Sequence, residues 1–179
     1  MKGRLIAVVG ASGAGKDTLI RGALARDPGL HWARRSITRP RSGTEPFESL
    51  TEAEFDTRIA ADRFALHWRA HGLRYGVARA ELEPIERGET VLFNGSRAAL
   101  AEAAAQFPAL EVVEVIAPVP LRAERLAARG RESAAQIEAR IARNTEPLPA
   151  ALPVRQVCND AGEEEGVIRF LAALHPVRA

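Results

Sequence analysis

Disulfide bonding within this chain is ruled out: it holds one cysteine, Cys158, with no second thiol to meet. That usage suits a reducing compartment and gives the expectation of a cytoplasmic protein. No apolar run approaches the roughly 20 residues that span a bilayer, so no membrane partner is expected. The opening Met1-Lys2-Gly3-Arg4 and the run Leu5-Ile6-Ala7-Val8-Val9 have the charged lead of a signal peptide. The run is too short, and a glycine-rich stretch follows where a spacer and cleavage site would stand. It reads as a buried strand. An excess of one charge is lacking too: the net +2 is too small to point to nucleic acid. Internal repeats and low-complexity tracts are missing.

What remains is a chain of 179 residues, 46% apolar and 27% charged, the size and balance of one globular α/β domain. Such a length buries roughly 70% of its unfolded surface and needs no structural metal. Apolar runs alternate with helical patterns, the signature of a parallel sheet flanked by helices. Strands are expected at Arg4–Val9, Thr90–Phe93, Glu111–Ile116 and Val154–Cys158. Helices are expected at Gly15–Arg26, Glu52–Ala61, Ala80–Arg87, Arg97–Ala105, Leu121–Arg129, Ala134–Arg143 and Glu163–Leu174. Thr51 before Glu52 and Glu54, and Ser133 before Gln136, have the spacing of helix N-caps. Two stretches break the rhythm. One is the basic segment Arg34–Phe47, with Pro40, Gly43 and Pro46; the other is Phe64–Val77, patterned as a hairpin around Gly72 and Gly76. Together they read as an insertion covering an acceptor site.

Directly after the first strand comes Gly10-Ala11-Ser12-Gly13-Ala14-Gly15-Lys16-Asp17-Thr18, which opens a helix. That context defines a P-loop. Glycines let successive backbone N–H groups turn inward as an anion nest, and the helix N-terminus adds its positive dipole end. Lys16 adds a point charge for the transferred phosphoryl. All nine residues are therefore expected around the phosphates of ATP. The residue after the lysine departs from the motif, being Asp17 where Ser or Thr is usual. A carboxylate beside a triphosphate is repelled unless a cation intervenes, so Asp17 is a candidate Mg²⁺ ligand. A first-turn acid favourable to the helix dipole is the other reading.

Arg34, Arg35, Arg39 and Arg41 fall within eight residues, interrupted by Thr38 and Pro40. So few convergent charges suit one phosphate better than a polyanion, and arginine is the residue for bidentate phosphate contacts. Arg122, Arg125 and Arg129 share a helical face, and Arg140 and Arg143 repeat the spacing on the next helix. Arg129 and Arg140 are the pair expected to close over the transferred charge, as a lid that excludes water.

These segments in order resemble the guanylate kinase family: the P-loop, Thr38 to Glu45, Glu54-Phe55, His71 to Gly76, and Arg125 to Gly130. The likeness runs from about Leu5 to Arg143. It implies a core of about 1–33, 78–120 and 150–179, an acceptor-binding insertion of about 34–77, and a helical lid of about 121–149. The base-reading groups differ. His67 lies near the place of the family's glutamate, Val77 follows Tyr75-Gly76, and Asn94-Gly95-Ser96-Arg97 replaces the acidic residue after the third strand. Losing such hydrogen bonds removes discrimination worth several orders of magnitude. Those departures are similar to the ribose 1,5-bisphosphate phosphokinase family, associated with phosphonate breakdown. The shared segments are Gly15-Lys16-Asp17, Ile37-Thr38-Arg39, Trp68 to Gly76, Asn94 to Arg97, and Arg129 to Glu132. The resemblance implies transfer from ATP, with Mg²⁺, to ribose 1,5-bisphosphate, giving 5-phosphoribosyl 1-diphosphate. Arg35, Thr38, Arg39, Arg41, Tyr75, Asn94, Ser96 and Arg97 are then the expected acceptor ligands. Asn94-Gly95-Ser96 can also be read as a plain strand-to-helix turn capped by Ser96. His67, His71 and Trp68 are expected to pack or bond locally. A nucleoside monophosphate kinase and a non-catalytic binding module are the rival readings. The oligomeric state is left open.

Overall fold

The computed structural model describes residues 3–40, 46–130, 133–142 and 147–175. Strands β1 (Arg4–Val9), β2 (Leu30–Trp32), β7 (Thr90–Asn94), β8 (Glu111–Ile116) and β9 (Val154–Cys158) form a five-stranded sheet ordered β2-β7-β1-β8-β9. Every pairing in it is parallel. Leu5 to Val9 are all buried, because β1 is central and covered on both faces. One face packs on α1 (Lys16–Leu24) and α6 (Glu163–Leu174) through Ile6, Val8, Leu19, Ile20 and Phe170. Those two helices approach so closely that a Cβ on Gly22 would stand 2.4 Å from Val167 Cγ2. The other face holds Leu5, Ala7, Val9, Phe93 and Val112 with Leu100 and Ala103.

A second sheet, ordered β4-β3-β6-β5, is built from β3 (Arg35–Ile37), β4 (Phe47–Ser49), β5 (Phe64–Ala70) and β6 (Leu73–Ala78). β5 and β6 are an antiparallel hairpin, as the alternation at 64–77 suggests. His71 and Gly72 turn it, both at positive φ (54° and 75°), the conformation that two-residue hairpin loops favour. Helix α2 (Glu52–Ala60) lays Phe55 against Phe64 beneath this sheet, ring centroids 4.6 Å apart. Its start is the expected capping box. Thr51 Oγ1 accepts from Glu54 N at 3.2 Å, and Thr51 N donates to Glu54 Oε2 at 2.7 Å.

Three expectations change. The segment expected as a helix from Ala80 is a 3₁₀ helix, Arg79–Arg87, because Pro84 inside it lacks the donor an α-helix needs. The one expected at Arg97–Ala105 splits into a 3₁₀ turn, Arg97–Ala99, and α3 (Leu100–Gln106). Strands β2, β3 and β4 were not expected at all. Each has three residues, too few for periodicity to register, and takes its form from its partner. After β8, α4 (Val119–Ala128) starts with a proline in its first turn, and α5 (Ala134–Ala142) follows. Ser133 N and Gln136 N bond reciprocally to each other's side chains at 2.8 and 3.3 Å.

Candidate functional site

The site lies at the carboxyl edge of the five-stranded sheet, where ligands of open parallel sheets bind. Its floor is the turn from β1 into α1. Gly13 and Gly15 hold φ of 80° and 91°, values that side chains with a Cβ rarely adopt. At Gly15 a Cβ would also meet Asn159 Nδ2 at 2.4 Å. The loop's carbonyls are taken from outside. Arg122 Nε donates to Ser12 O at 3.0 Å, while Arg125 Nη1 and Asn159 Nδ2 donate to Ala14 O at 3.4 and 2.8 Å. With these oxygens engaged, the loop's shape is held by its neighbours, as a backbone anion nest requires. Lys16 Nζ donates to Gly10 O at 2.7 Å and Ala11 O at 3.3 Å, so the ammonium is folded over its own loop. Desolvation above all pulls Lys16 down to about 8; Arg35, Arg129 and Arg97 push the same way, and Asp17 opposes them.

Over this floor opens a cavity of about 510 Å³. Among its lining residues, Lys16, Arg35, Arg39, Arg69, Arg97, Arg129 and Arg140 carry positive charge against the single carboxylate of Asp17. A cavity so biased focuses field lines on anions. Arg140 Nη2 donates to Ser12 Oγ at 3.1 Å, which brings α5 to the phosphate loop. On the side of the second sheet, Trp68 and Tyr75 stack with centroids 5.5 Å apart and rings within 8° of parallel. Arg35 lies over Tyr75, 5.4 Å from its centroid, and donates to Asn94 O at 3.1 Å. Asn94 ends β7 and is only 3% exposed. Its Nδ2 donates to Asp17 Oδ1 at 2.7 Å. Among the described residues, Asn94 Oδ1 and Ser96 Oγ are buried without a hydrogen-bond partner. Buried polar atoms of this kind ordinarily find one. Ser96 occupies the N-cap place of the following turn, yet its side chain caps nothing. That weakens the plain-turn reading of 94–96.

The predicted residues gather unevenly. Gly10, Ala11, Ser12, Gly13, Gly15, Lys16, Asp17, Arg35, Arg39, Tyr75, Asn94, Ser96, Arg97, Arg129 and Arg140 all line the cavity. Ala14 and Thr18 belong to the same loop and helix without lining it. Thr38 does not line the cavity; its Oγ1 accepts from Arg74 N at 2.9 Å and ties β3 to β6. Arg41 and Arg143 lie outside the described residues. Trp68 is buried core and also cavity wall. His71, expected only to bond locally, reaches the cavity, as does Arg69. Both sit in the hairpin already singled out by its polar alternation. Asn159 was missed, although a polar residue just past an apolar strand follows the rule that drew attention to Asn94.

A group of three or more His, Cys, Asp or Glu side chains able to cage a metal is absent among the described residues. Mg²⁺ does not require one. It binds through one or two carboxylates plus substrate phosphates and keeps waters, and Asp17 at the loop fits that use. No described helix is long and apolar enough to cross a membrane.

No family model matches the chain. It is 45% identical over 181 residues to the ribose 1,5-bisphosphate phosphokinase PhnN of Ruegeria sp., covering 99% of this chain and 95% of that one. The PhnN enzyme of Brucella melitensis biotype 2 is 47% identical over 180 residues, with 98% and 94% covered. A bifunctional ribose 1,5-bisphosphokinase-thymidine phosphorylase of Azorhizobium caulinodans is 47% identical over 171 residues. That match takes 93% of this chain but 25% of the relative, so the chain spans about a quarter of the bifunctional protein. Among solved structures, guanylate kinase from Anaplasma phagocytophilum superposes with a TM-score of 0.67 over 97% of this chain and 85% of that one. A gluconokinase from Sinorhizobium meliloti 1021 does so with 0.55 over 97% and 91%. Both are 16% identical and speak to fold alone: an α/β P-loop kinase fold of guanylate kinase type.

Proposed function

Because the chain belongs to the ribose 1,5-bisphosphate phosphokinase family, we propose that it transfers the γ-phosphoryl of ATP to ribose 1,5-bisphosphate, forming ADP and 5-phosphoribosyl 1-diphosphate. One observation carries this reading: the phosphate loop and Lys16 open into a cavity with seven cationic side chains and one carboxylate. Two phosphorylated reactants must be held together there, and no base-reading carboxylate is needed for a base-free sugar.

An oxygen of the acceptor's anomeric phosphate attacks the γ-phosphorus in line. The new P–O bond forms as the bond to the β–γ bridging oxygen breaks, and ADP leaves with that electron pair. The attacking oxygen is already anionic, so no strong general base is required. Positioning and charge stabilisation do the work. Lys16 is assigned to the β- and γ-phosphates, with the loop amides beneath them. Arg129 and Arg140 are assigned to the charge spread over the transferred group, Arg140 already touching Ser12. Arg35, Arg39 and Arg97 are assigned to the acceptor's phosphates, and Arg41 with them from the sequence. Asn94 Oδ1, Ser96 Oγ and the Tyr75 hydroxyl are assigned to ribose hydroxyls, which would supply the missing partners. Asp17 would hold Mg²⁺, which when bound offsets the negative charge between β- and γ-phosphates.

The test is direct. The purified chain with ATP and Mg²⁺ is given ribose 1,5-bisphosphate or guanosine monophosphate, and products are followed by phosphorus NMR. Diphosphate formation on the sugar is expected, with at least a thousandfold preference over the nucleotide. Preference for guanosine monophosphate would return the reading to a nucleoside monophosphate kinase. Lys16→Ala is expected to lower kcat on the order of 10²–10³-fold; full turnover in that variant would remove the mechanism.

A further inference from the structure

A buried carboxylate stands among the valines of β8. Glu114 sits in the middle of β8 among Val112, Val113 and Val115, and is 6% exposed. Its partner in register on β1 is Val9, the residue immediately before the phosphate loop, so it lies close under the site's floor. Burying a carboxylate is costly unless it is paired and hydrogen-bonded. Glu114 meets both conditions. Oε1 accepts from Arg97 Nη2, and Oε2 accepts from Gln156 Nε2 on β9 at 2.8 Å.

The two contacts come from opposite sides of the sheet order. Gln156 stands on the neighbouring strand, whereas Arg97 follows β7 and reaches past the end of β1 to meet β8. With both oxygens engaged, the carboxylate has a fixed plane. A planar guanidinium bound to a fixed carboxylate has its own orientation set, and arginine keeps further donors for a second anion. Arg97 lines the cavity. We infer that Glu114 is a positioning residue for acceptor binding: it holds Arg97 from below, so that the guanidinium's remaining N–H groups face an acceptor phosphate.

This rests on the reading of the cavity as a site for a phosphorylated acceptor. Three variants separate the inference from that reading, with KM for ribose 1,5-bisphosphate and for ATP measured apart. Arg97→Ala is expected to raise the acceptor KM at least tenfold. Glu114→Gln keeps the shape and removes the charge. It is expected to raise the acceptor KM about tenfold while the ATP KM stays within about twofold. In the Arg97→Ala background, Glu114→Gln should add less than twofold, the coupling expected of a residue that acts through its partner. Gln156→Ala leaves the charge pair and frees one oxygen, and is expected to raise the acceptor KM two- to threefold. It also serves if Glu114→Gln does not fold, since Gln156 is exposed. If Arg97→Ala leaves the acceptor KM unchanged, the acceptor assignment of Arg97 and this inference fall together. If Arg97→Ala acts but Glu114→Gln, or in its place Gln156→Ala, changes only the melting temperature, this inference alone is overturned.

Discussion

Lys16 has a consequence at the scale of a single proton. Desolvation holds it near 8, against 10.5 in an unfolded chain. Its ammonium is thus disfavoured in the folded protein. The associated cost is fully present below about pH 8 and is relieved as pH rises from there towards 10.5. A nucleotide's phosphates favour the charged form, so binding near pH 8 should take up a fraction of a proton. Affinity for ATP should weaken as pH rises through 8, by up to about tenfold per pH unit. Calorimetry of ATP–Mg²⁺ binding at pH 8, in buffers of different ionisation enthalpy, reads this as net proton uptake. Uptake that is absent, or that persists in Lys16→Met, would count against it. Much at this scale was legible beforehand, because a P-loop compresses its chemistry into nine consecutive residues. Thr38 was not. Its hydroxyl oxygen accepts from Arg74 N, a bond that depends on strands β3 and β6 meeting, and no spacing along the chain encodes that.

Elements were readable in proportion to their length and independence. Strands β1, β8 and β9 and helix α6 fall on their expected bounds, since each is a sustained pattern with its own apolar content. The 3₁₀ segment Arg79–Arg87 differs because one proline overrides a helical pattern. Helix α2 shows how much a terminus can weigh. Thr51 and Glu54 satisfy each other's backbone donors, and the helix they start buries Phe55 beneath the second sheet. Thr51→Ala should cost about 1 kcal/mol. Urea unfolding should register it as a lower midpoint at unchanged slope, and amide exchange should quicken in α2 before β1. Equal protection of α2 in both proteins would contradict this.

Across the whole molecule, charge ties the large sheet together at the end away from the site. Glu111 on β8 accepts from Arg4 on β1 at 2.6 and 2.8 Å and from Arg155 on β9, bridging the strands on either side. Arg4 Nη1 also donates to Leu174 O at the end of α6 at 2.6 Å. The hydrogen bond from Arg4 is foremost in drawing the Glu111 carboxyl down to about 2, with Arg155 adding to it. Its stabilisation is therefore present above the ordinary value of 4.5 and is lost as pH falls from there towards 2. Glu111→Gln should cost about 1–2 kcal/mol at pH 7, after allowance for solvent screening of a partly exposed group. The gap from wild type should narrow as urea titrations move from pH 5 to pH 3; a constant gap would contradict the linkage.

Beyond their shared apolar core, the two sheets are braced by Arg35, whose guanidinium donates to the main-chain oxygen of Asn94. Any residue placed at 94 supplies that same oxygen. The side chain at 94 can thus be varied while the brace between the P-loop half and its smaller companion stays in force.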